Sequence, residues 1–207
     1  MIGVGGSDQE RLWVLRAQQG DEQAFAQIVE AYQRPVYNLA YRMLGSAGDA
    51  EDAAQEVFLR AYSHLESYDP ARKFSSWILS IASHFCIDRL RRGHRRQVSL
   101  DEFEPDRWLP DTAPRPEDEA MDRDREGQIR RLLDLLPEQH RLVIVLRYWY
   151  DMSYQEIAQI TSSTESAVKS RLHRARGAMA DALKAEANIQ LAVSEEAISE
   201  HAISEAI

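Results

Sequence analysis

The chain has 207 residues, of which 44% are hydrophobic and 29% charged, and 25 Lys and Arg against 34 Asp and Glu give a net charge of -9. This composition argues against a chain that is disordered throughout, and no apolar run reaches the roughly 18 residues of a membrane span. The first residues lack the basic and apolar regions of a signal peptide. The single cysteine, Cys86, cannot form an internal disulfide, so we expect a cytoplasmic protein.

Apolar residues recur at helical spacing in the first half of the chain, without sustained alternation, which predicts an all-α structure. Gly20 and Asp21 are typical of a helix end followed by an N-cap, so helices are expected over about 8–19 and 22–44. Asp49 is expected to cap a third helix with an acidic outward face. That face is either a solvated surface or a partner site, and the residues alone favour the solvated surface.

A fourth predicted helix is capped by Ser75 or Ser76, has an aromatic-rich body and ends in a cluster of arginines. Such a helix can stack on bases and pair with phosphates of a nucleic acid. Trp77 and Phe85, considered alone, are better explained as core residues, because aromatic side chains are normally buried.

The sequence offers no chemical site. His84, Cys86 and His94 lack the spacing of a zinc site, so no metal is predicted. No Walker loop, GxGxxG motif or nucleophile–base pair is present, so neither a cofactor nor an enzymatic activity is predicted.

Charge and composition divide the chain into segments. Residues 97–127 carry 11 acidic and 4 basic groups among four prolines, which predicts a linker between a domain at 1–96 and a domain at 128–184. Residues 185–207 carry five acids and no Lys or Arg. This tail is expected to be frayed or disordered; the alternative is that it folds back on the basic stretch 169–176.

The second domain has the spacing of a helix-turn-helix. A helix follows Pro137, a second is expected over 153–160, a polar turn over 161–163, and a third helix from about Thr164. One face of the third helix is apolar at steps of three and four residues, which predicts burial of Val168, Leu172, Ala175 and Met179.

The opposite face of this third helix is polar and basic. A solvated basic helix is one interpretation, but the turn, the apolar stripe and the basic face together favour entry into a DNA major groove. Two of the arginines, Arg171 and Arg176, lie nearer the rim and suit phosphates. The predicted contacts with DNA are Ser166, Lys169, Ser170, Arg171, His173, Arg174 and Arg176.

Four stretches carry a family resemblance: DAEDAAQEVFLRAY, FSSWILSIASHFCIDRLRR, LPEQHRLVIVLRYWYDMSYQEIAQI and AVKSRLHRAR. In this order, around an acidic linker, they resemble the two domains of bacterial extracytoplasmic-function sigma factors over about residues 8–184. The resemblance implies two small helical domains, the region 2 bundle and the region 4 helix-turn-helix. It also implies an alternative sigma factor that binds core RNA polymerase, recognises the minus-35 and minus-10 promoter elements and promotes DNA melting.

The resemblance also implies roles for individual residues. The minus-35 element would be read by the basic face described above. The clamp of the largest polymerase subunit would be bound by Asp52, Gln55, Glu56 and Phe58. The minus-10 strand would be held by Lys73, Phe74, Trp77, His84, Asp88, Arg89, Arg91 and Arg92.

The family commonly has glycine at the position of Ser162 in the turn, which predicts a positive φ there. Its members usually have an anti-sigma factor as a further partner. The alternative to a sigma factor is a stand-alone helix-turn-helix regulator; an adaptor without a DNA role would leave both basic clusters unexplained.

Overall fold

The computed structural model describes residues 8–97 and 118–204, and the side chains within 8–93 and 126–188. All of its regular structure is helical, and no strand occurs in the described residues, so the all-α prediction is confirmed. The helices are α1 (Asp8–Gln18), α2 (Glu22–Leu44), α3 (Ala47–His64), α4 (Phe74–Gln97), α5 (Asp118–Asp134), α6 (Glu138–Trp149), α7 (Tyr154–Ile160) and α8 (Glu165–Ser204), with a 3-10 turn at Leu65–Ser67.

Helix ends in the first domain follow local capping chemistry. Gly20 has a φ of 88°, and the Asp21 carboxylate accepts a hydrogen bond from the Ala24 amide at 3.0 Å, as predicted. The prediction that Asp49 caps α3 is wrong. Ser46 is the N-cap, because its hydroxyl accepts from the Asp49 amide and its backbone is extended.

The fourth helix also begins earlier than predicted. Its first residue is Phe74, so neither Ser75 nor Ser76 is its N-cap. Both serines lie within the first turn of α4 and are half-buried. The cap prediction depended on a favourable residue type alone, which does not fix where the first turn begins.

The first domain packs α1, α3 and α4 around α2. Ile28, Val36 and Leu39 of α2 are fully buried, and each contributes about 1.5–3 kcal/mol relative to an exposed side chain. α3 meets α2 through small residues spaced three to four apart, which allows the two backbones to approach closely. These residues are Ala50, Ala53, Val57 and Ala61.

The second domain packs α6, α7 and α8 together. Val168, Leu172 and Ala175 are buried as predicted, while Met179 is only half-buried. α6 contacts α8 and also α2 and α4 of the first domain, so it is covered on more than one side. This explains an unbroken buried run along one helix, which comprises Arg141, Leu142, Val143, Ile144, Val145 and Leu146.

The linker and tail differ in part from expectation. Residues 98–117 of the predicted linker lie outside the described residues, and 118–127 belong to α5. The backbone of α8 continues to Ser204, so the tail up to that residue is helical rather than frayed. A continuous helix rises about 1.5 Å per residue and cannot fold back on its own basic stretch, so that alternative is also wrong for these residues.

Candidate nucleic-acid and polymerase interfaces

The helix-turn-helix is fixed by reciprocal caps. At the start of α7, the Ser153 hydroxyl accepts from the Glu156 amide, and the Glu156 carboxylate accepts from the Ser153 amide at 3.0 Å. In the turn, Ser162 has a φ of 48°, which confirms the predicted positive value. Thr164 then caps α8 by accepting from the Ala167 amide at 3.2 Å. The angle between α7 and α8 is therefore set by local hydrogen bonds as well as packing.

The outward face of α8 presents the basic and polar groups that the sequence predicts for DNA contact. One of the predicted contacts differs: Arg171 is half-buried, and its Nη1 atom is buried without a hydrogen-bond partner among the described residues. Burial makes Arg171 less accessible to phosphate than a residue on the rim. The exposed members are Ser166, Lys169, Ser170, His173, Arg174 and Arg176.

Residues outside α8 shape the charge of this face. The ammonium of Lys169 lies 5.6 Å from the centroid of the Tyr154 ring, and the guanidinium of Arg147 lies 5.7 Å from the same ring. Tyr154 therefore holds two cations near the start of α8. Burial, followed by the charges of Arg174 and Arg171, lowers the pKa of His140 below its usual range. Tyr154 and His140 are not recognisable as part of this surface from the sequence, because only the fold brings them to α8.

The start of α4 contains an aromatic cluster. Phe74 is 2% exposed and its ring lies 5.3 Å from the rings of Tyr32, Tyr68 and Trp77. Phe74 is thus a core residue in this conformation and cannot stack on a base. Trp77 is half-buried, so part of its indole remains accessible.

The polar residues predicted for the minus-10 strand line α4 and the residue before it. Arg89 is bound to Asp49 and lies 3.8 Å from Asp52. Lys73 and Arg91 each form an ion pair with a carboxylate of the second domain. The remaining predicted contacts are exposed: His84, Asp88 and Arg92.

The predicted polymerase-binding face of α3 is acidic at one end and apolar at the other. Asp52 and Gln55 are exposed, Glu56 accepts from Arg60 at 2.8 Å, and Phe58 packs partly against the core. Further along the same helix lie two large exposed apolar side chains that are not among the predicted contacts. These are Leu59, 64% exposed, and Tyr62, 48% exposed.

The exposed apolar side chains of α3 favour a partner site over a solvated surface as the interpretation of its outward face. Gln55, Leu59 and Tyr62 are spaced four and three residues apart, so they share one side of the helix. Adjoining exposed apolar side chains are typical of a protein-binding surface and are not expected on a face that only contacts water. Leu59 is the more exposed of the two, because the ring of Tyr62 also packs edge-on against Phe25 of α2 at 4.9 Å between centroids.

Two classes of site are absent from the residues described. Within 8–93 and 126–188, no group of three or more His, Cys, Asp or Glu side chains is arranged to hold a metal ion. No described helix is long and apolar enough to cross a bilayer.

Comparison with known proteins identifies both halves of the chain. The Sigma-70 region 2 family model matches residues 28–96, and the Sigma-70, region 4 model matches residues 126–179. The chain is 36% identical over 183 residues to the ECF RNA polymerase sigma factor SigW of Bacillus subtilis (strain 168), covering 83% of this chain and 95% of that protein. It is 33% identical over 177 residues to the ECF RNA polymerase sigma-E factor of Escherichia coli (strain K12), covering 82% and 92%.

Solved structures agree with this comparison. CnrH in complex with the cytosolic domain of CnrY superposes with a TM-score of 0.63 at 26% identity, over 86% of this chain and 99% of that one. RpoE in complex with the anti-sigma factor NepR from Bartonella quintana gives a TM-score of 0.63 at 20% identity, over 77% and 96%. The second match shows a shared fold.

Proposed function

The chain belongs to the extracytoplasmic-function sigma factors, which are alternative sigma factors of RNA polymerase, and from this premise we propose which surface carries each step of initiation. The exposed face of α8 reads the minus-35 duplex. α4 and Lys73 hold the unwound minus-10 strand, and α3 docks on the clamp of the largest polymerase subunit. The observation that carries the proposal is that all three surfaces are built on helices whose opposite faces are buried.

On α8, we assign base contacts to exposed side chains of the outward face. Lys169 and Arg174 can donate to guanine acceptors, while Ser170 serves several bases. Arg176 reaches phosphates and sets the register of the helix in the groove. Because α8 begins immediately after the capped turn, the first two turns of the helix enter the groove as a rigid unit.

On α4 and the residue before it, we assign phosphate pairing to Lys73, Arg91 and Arg92, and base stacking to the exposed part of Trp77. Stacking contributes about 1–3 kcal/mol per base, so a few such contacts offset the cost of separating base pairs. The buried ring of Phe74 packs against the ring of Trp77 at 5.3 Å between centroids and does not itself touch the strand. No bond is made or broken in this process, so the chain needs no enzymatic activity of its own.

An anti-sigma factor is the further partner that we propose. The solved relatives CnrH and RpoE were each determined with a partner protein, the cytosolic domain of CnrY and the anti-sigma factor NepR, respectively. Polymerase, DNA and such a partner meet in the cytoplasm, where we place this chain. A stand-alone regulator would use α8 alone, and it would leave the acidic and apolar face of α3 without a role.

The docking role of α3 is tested by the charge-reversed variant Asp52→Arg/Glu56→Arg. Binding to purified core polymerase should fall at least about tenfold, because the exposed carboxylate of Asp52 and the half-buried carboxylate of Glu56 become cations at an interface. The matched control is Glu22→Arg/Glu30→Arg, which makes the same charge change at exposed positions of α2. Equal binding by the two variants would show that α3 is not the docking surface.

A further inference from the structure

The two domains are docked through buried and directional contacts. The Nη1 atom of Arg141 in α6 donates to the carbonyl of Met43, near the end of α2, at 2.6 Å. The Tyr150 hydroxyl donates to the carbonyl of Pro35 at 2.6 Å. The guanidinium of Arg42 lies 4.9 Å from the centroid of the Trp149 ring. These contacts hold the second domain against α2, and α6 and α7 also contact α4.

Docking also joins the residues proposed to hold the minus-10 strand to carboxylates. Lys73 Nζ lies 2.7 Å from Oε1 of Glu156, and Arg91 Nε lies 3.1 Å from Oε1 of Glu138. Both acids belong to the second domain. Ammonium and guanidinium groups bind carboxylate and phosphate oxygens through the same N–H donors, so each pair occupies donors that a phosphate would take.

The minus-35 face is not covered in this way. Six of its predicted contacts on α8 are exposed, whereas two of the proposed phosphate-binding cations at α4 are paired. In this closed arrangement, in which the second domain is docked on α2 and α4, the minus-35 face of α8 is accessible. Part of the minus-10 surface at α4 is neutralised. The two carboxylates that pair with these cations belong to the second domain, whose exposed α8 face is basic.

We propose that the second domain is an internal competitor of single-stranded DNA: Glu156 and Glu138 occupy Lys73 and Arg91 until an unwound strand or polymerase displaces them. This inference rests on the proposed role of α4. Docking of the two domains would then control binding of the unwound strand at α4 and would not control binding of duplex DNA by α8. The exposed face of α8 stays accessible, while Lys73 and Arg91 are partly neutralised.

The size of the effect follows from exposure. Lys73 and Arg91 are 68% and 47% exposed, and Glu156 and Glu138 are 27% and 31% exposed, so water and salt screen both pairs. Partly exposed pairs of this kind change an equilibrium by roughly two- to fivefold each. Two together should alter single-strand affinity by about four- to twenty-fivefold at low salt, and the effect should fade as salt rises.

The test uses the full chain with Glu138→Gln/Glu156→Gln, which removes both charges and keeps side-chain size. Glutamine at 156 still accepts from the Ser153 amide and preserves the cap of α7. The control is Glu30→Gln/Asp181→Asn, which removes two negative charges at exposed positions distant in sequence from these pairs. Fluorescence anisotropy measures binding to labelled oligo-dT and to a labelled duplex of random sequence.

We expect Glu138→Gln/Glu156→Gln to bind oligo-dT about four- to twenty-fivefold more tightly than the control, with duplex affinities that match. Equal oligo-dT affinities would overturn the internal competition. A third variant, Lys73→Ala/Arg91→Ala, separates this failure from failure of the proposed function. If that variant binds oligo-dT as well as the parent does, α4 is not the strand-holding surface. Both the proposed minus-10 role of α4 and the internal competition are then wrong.

Folding is checked separately. Circular dichroism of each variant must show the parent's helical content, and Glu138→Gln alone serves if the double variant is unfolded. The single variant should then bind oligo-dT about two- to fivefold more tightly than Glu30→Gln. No difference between these two single variants would also overturn the proposal.

Discussion

Replacing Arg141 with alanine tests how firmly the two domains are docked. Arg141 is 7% exposed, and its guanidinium donates to the carbonyls of Met43 at 2.6 Å and Asp134 at 3.2 Å. It also lies 3.1 Å from the Asp134 carboxylate, which is 51% exposed and can be rehydrated. The main loss is therefore the donor to the Met43 carbonyl.

The magnitude follows from these contacts. A buried acceptor left without a donor costs about 1–3 kcal/mol, and loss of two buried methylenes costs about 1.5 kcal/mol more. Relief from burying a charge offsets part of this, and burial already lowers the pKa of Arg141. We expect Arg141→Ala to lower the free energy of unfolding by about 2–3 kcal/mol.

The assay is urea denaturation followed by circular dichroism. Arg141→Lys should recover about half of the loss, since an ammonium can reach one carbonyl but not both. The control is Arg72→Ala, whose side chain is 81% exposed and pairs at 3.7 Å with Asp69, which is 57% exposed; it should cost below about 1 kcal/mol. If Arg141→Ala costs no more than Arg72→Ala, the interdomain contact does not stabilise the fold.

Two further predictions concern ionisable groups. Hydrogen bonding by Lys73 and the Ser153 amide lowers the pKa of Glu156 to about 2 from its ordinary 4.5, so its contribution to stability is complete above pH 4.5 and lost as the pH falls towards 2. The difference in unfolding free energy between the parent and Glu156→Gln should therefore narrow over that range; a constant difference would contradict the assignment. Burial raises the pKa of Cys86 to about 12, so the folded chain should not react with iodoacetamide at pH 8, while urea-unfolded chain reacts fully. Rapid labelling of the folded chain would refute the burial of this thiol.

Local features of the fold were predictable because their causes are local. The Gly20–Asp21 junction, the start of α7 after Ser153 and the buried stripe of α8 follow from capping chemistry and helical periodicity. The positive φ of Ser162 came from resemblance rather than residue type, because serine by itself does not indicate that region. The start of α3 was misplaced since Ser46 and Asp49 are both good caps, and periodicity does not choose between them.

Contacts between distant elements could not be predicted. Lys73 and Glu156 are 83 residues apart, and periodicity states which face of a helix is apolar without saying which element covers it. For the same reason, the sequence predicts a DNA contact for Phe74, which belongs to the core, and a rim position for Arg171, which is half-buried. Each predicted functional surface lies on one helix and can be recognised from its local sequence. The ion pairs between the two domains depend on the whole fold.

Transcription with purified core polymerase of the source bacterium tests the central claim, that polymerase bound by this chain finds promoters through α8. On genomic DNA, the parent should produce transcripts with defined starts, as should Arg34→Ala/Lys184→Ala, which removes two exposed cations elsewhere. Lys169→Ala/Arg174→Ala should bind core polymerase equally but lose those starts at least about tenfold, because each lost base contact costs about 1–3 kcal/mol. The same starts at the same abundance from this variant, or none from the parent, would contradict the account.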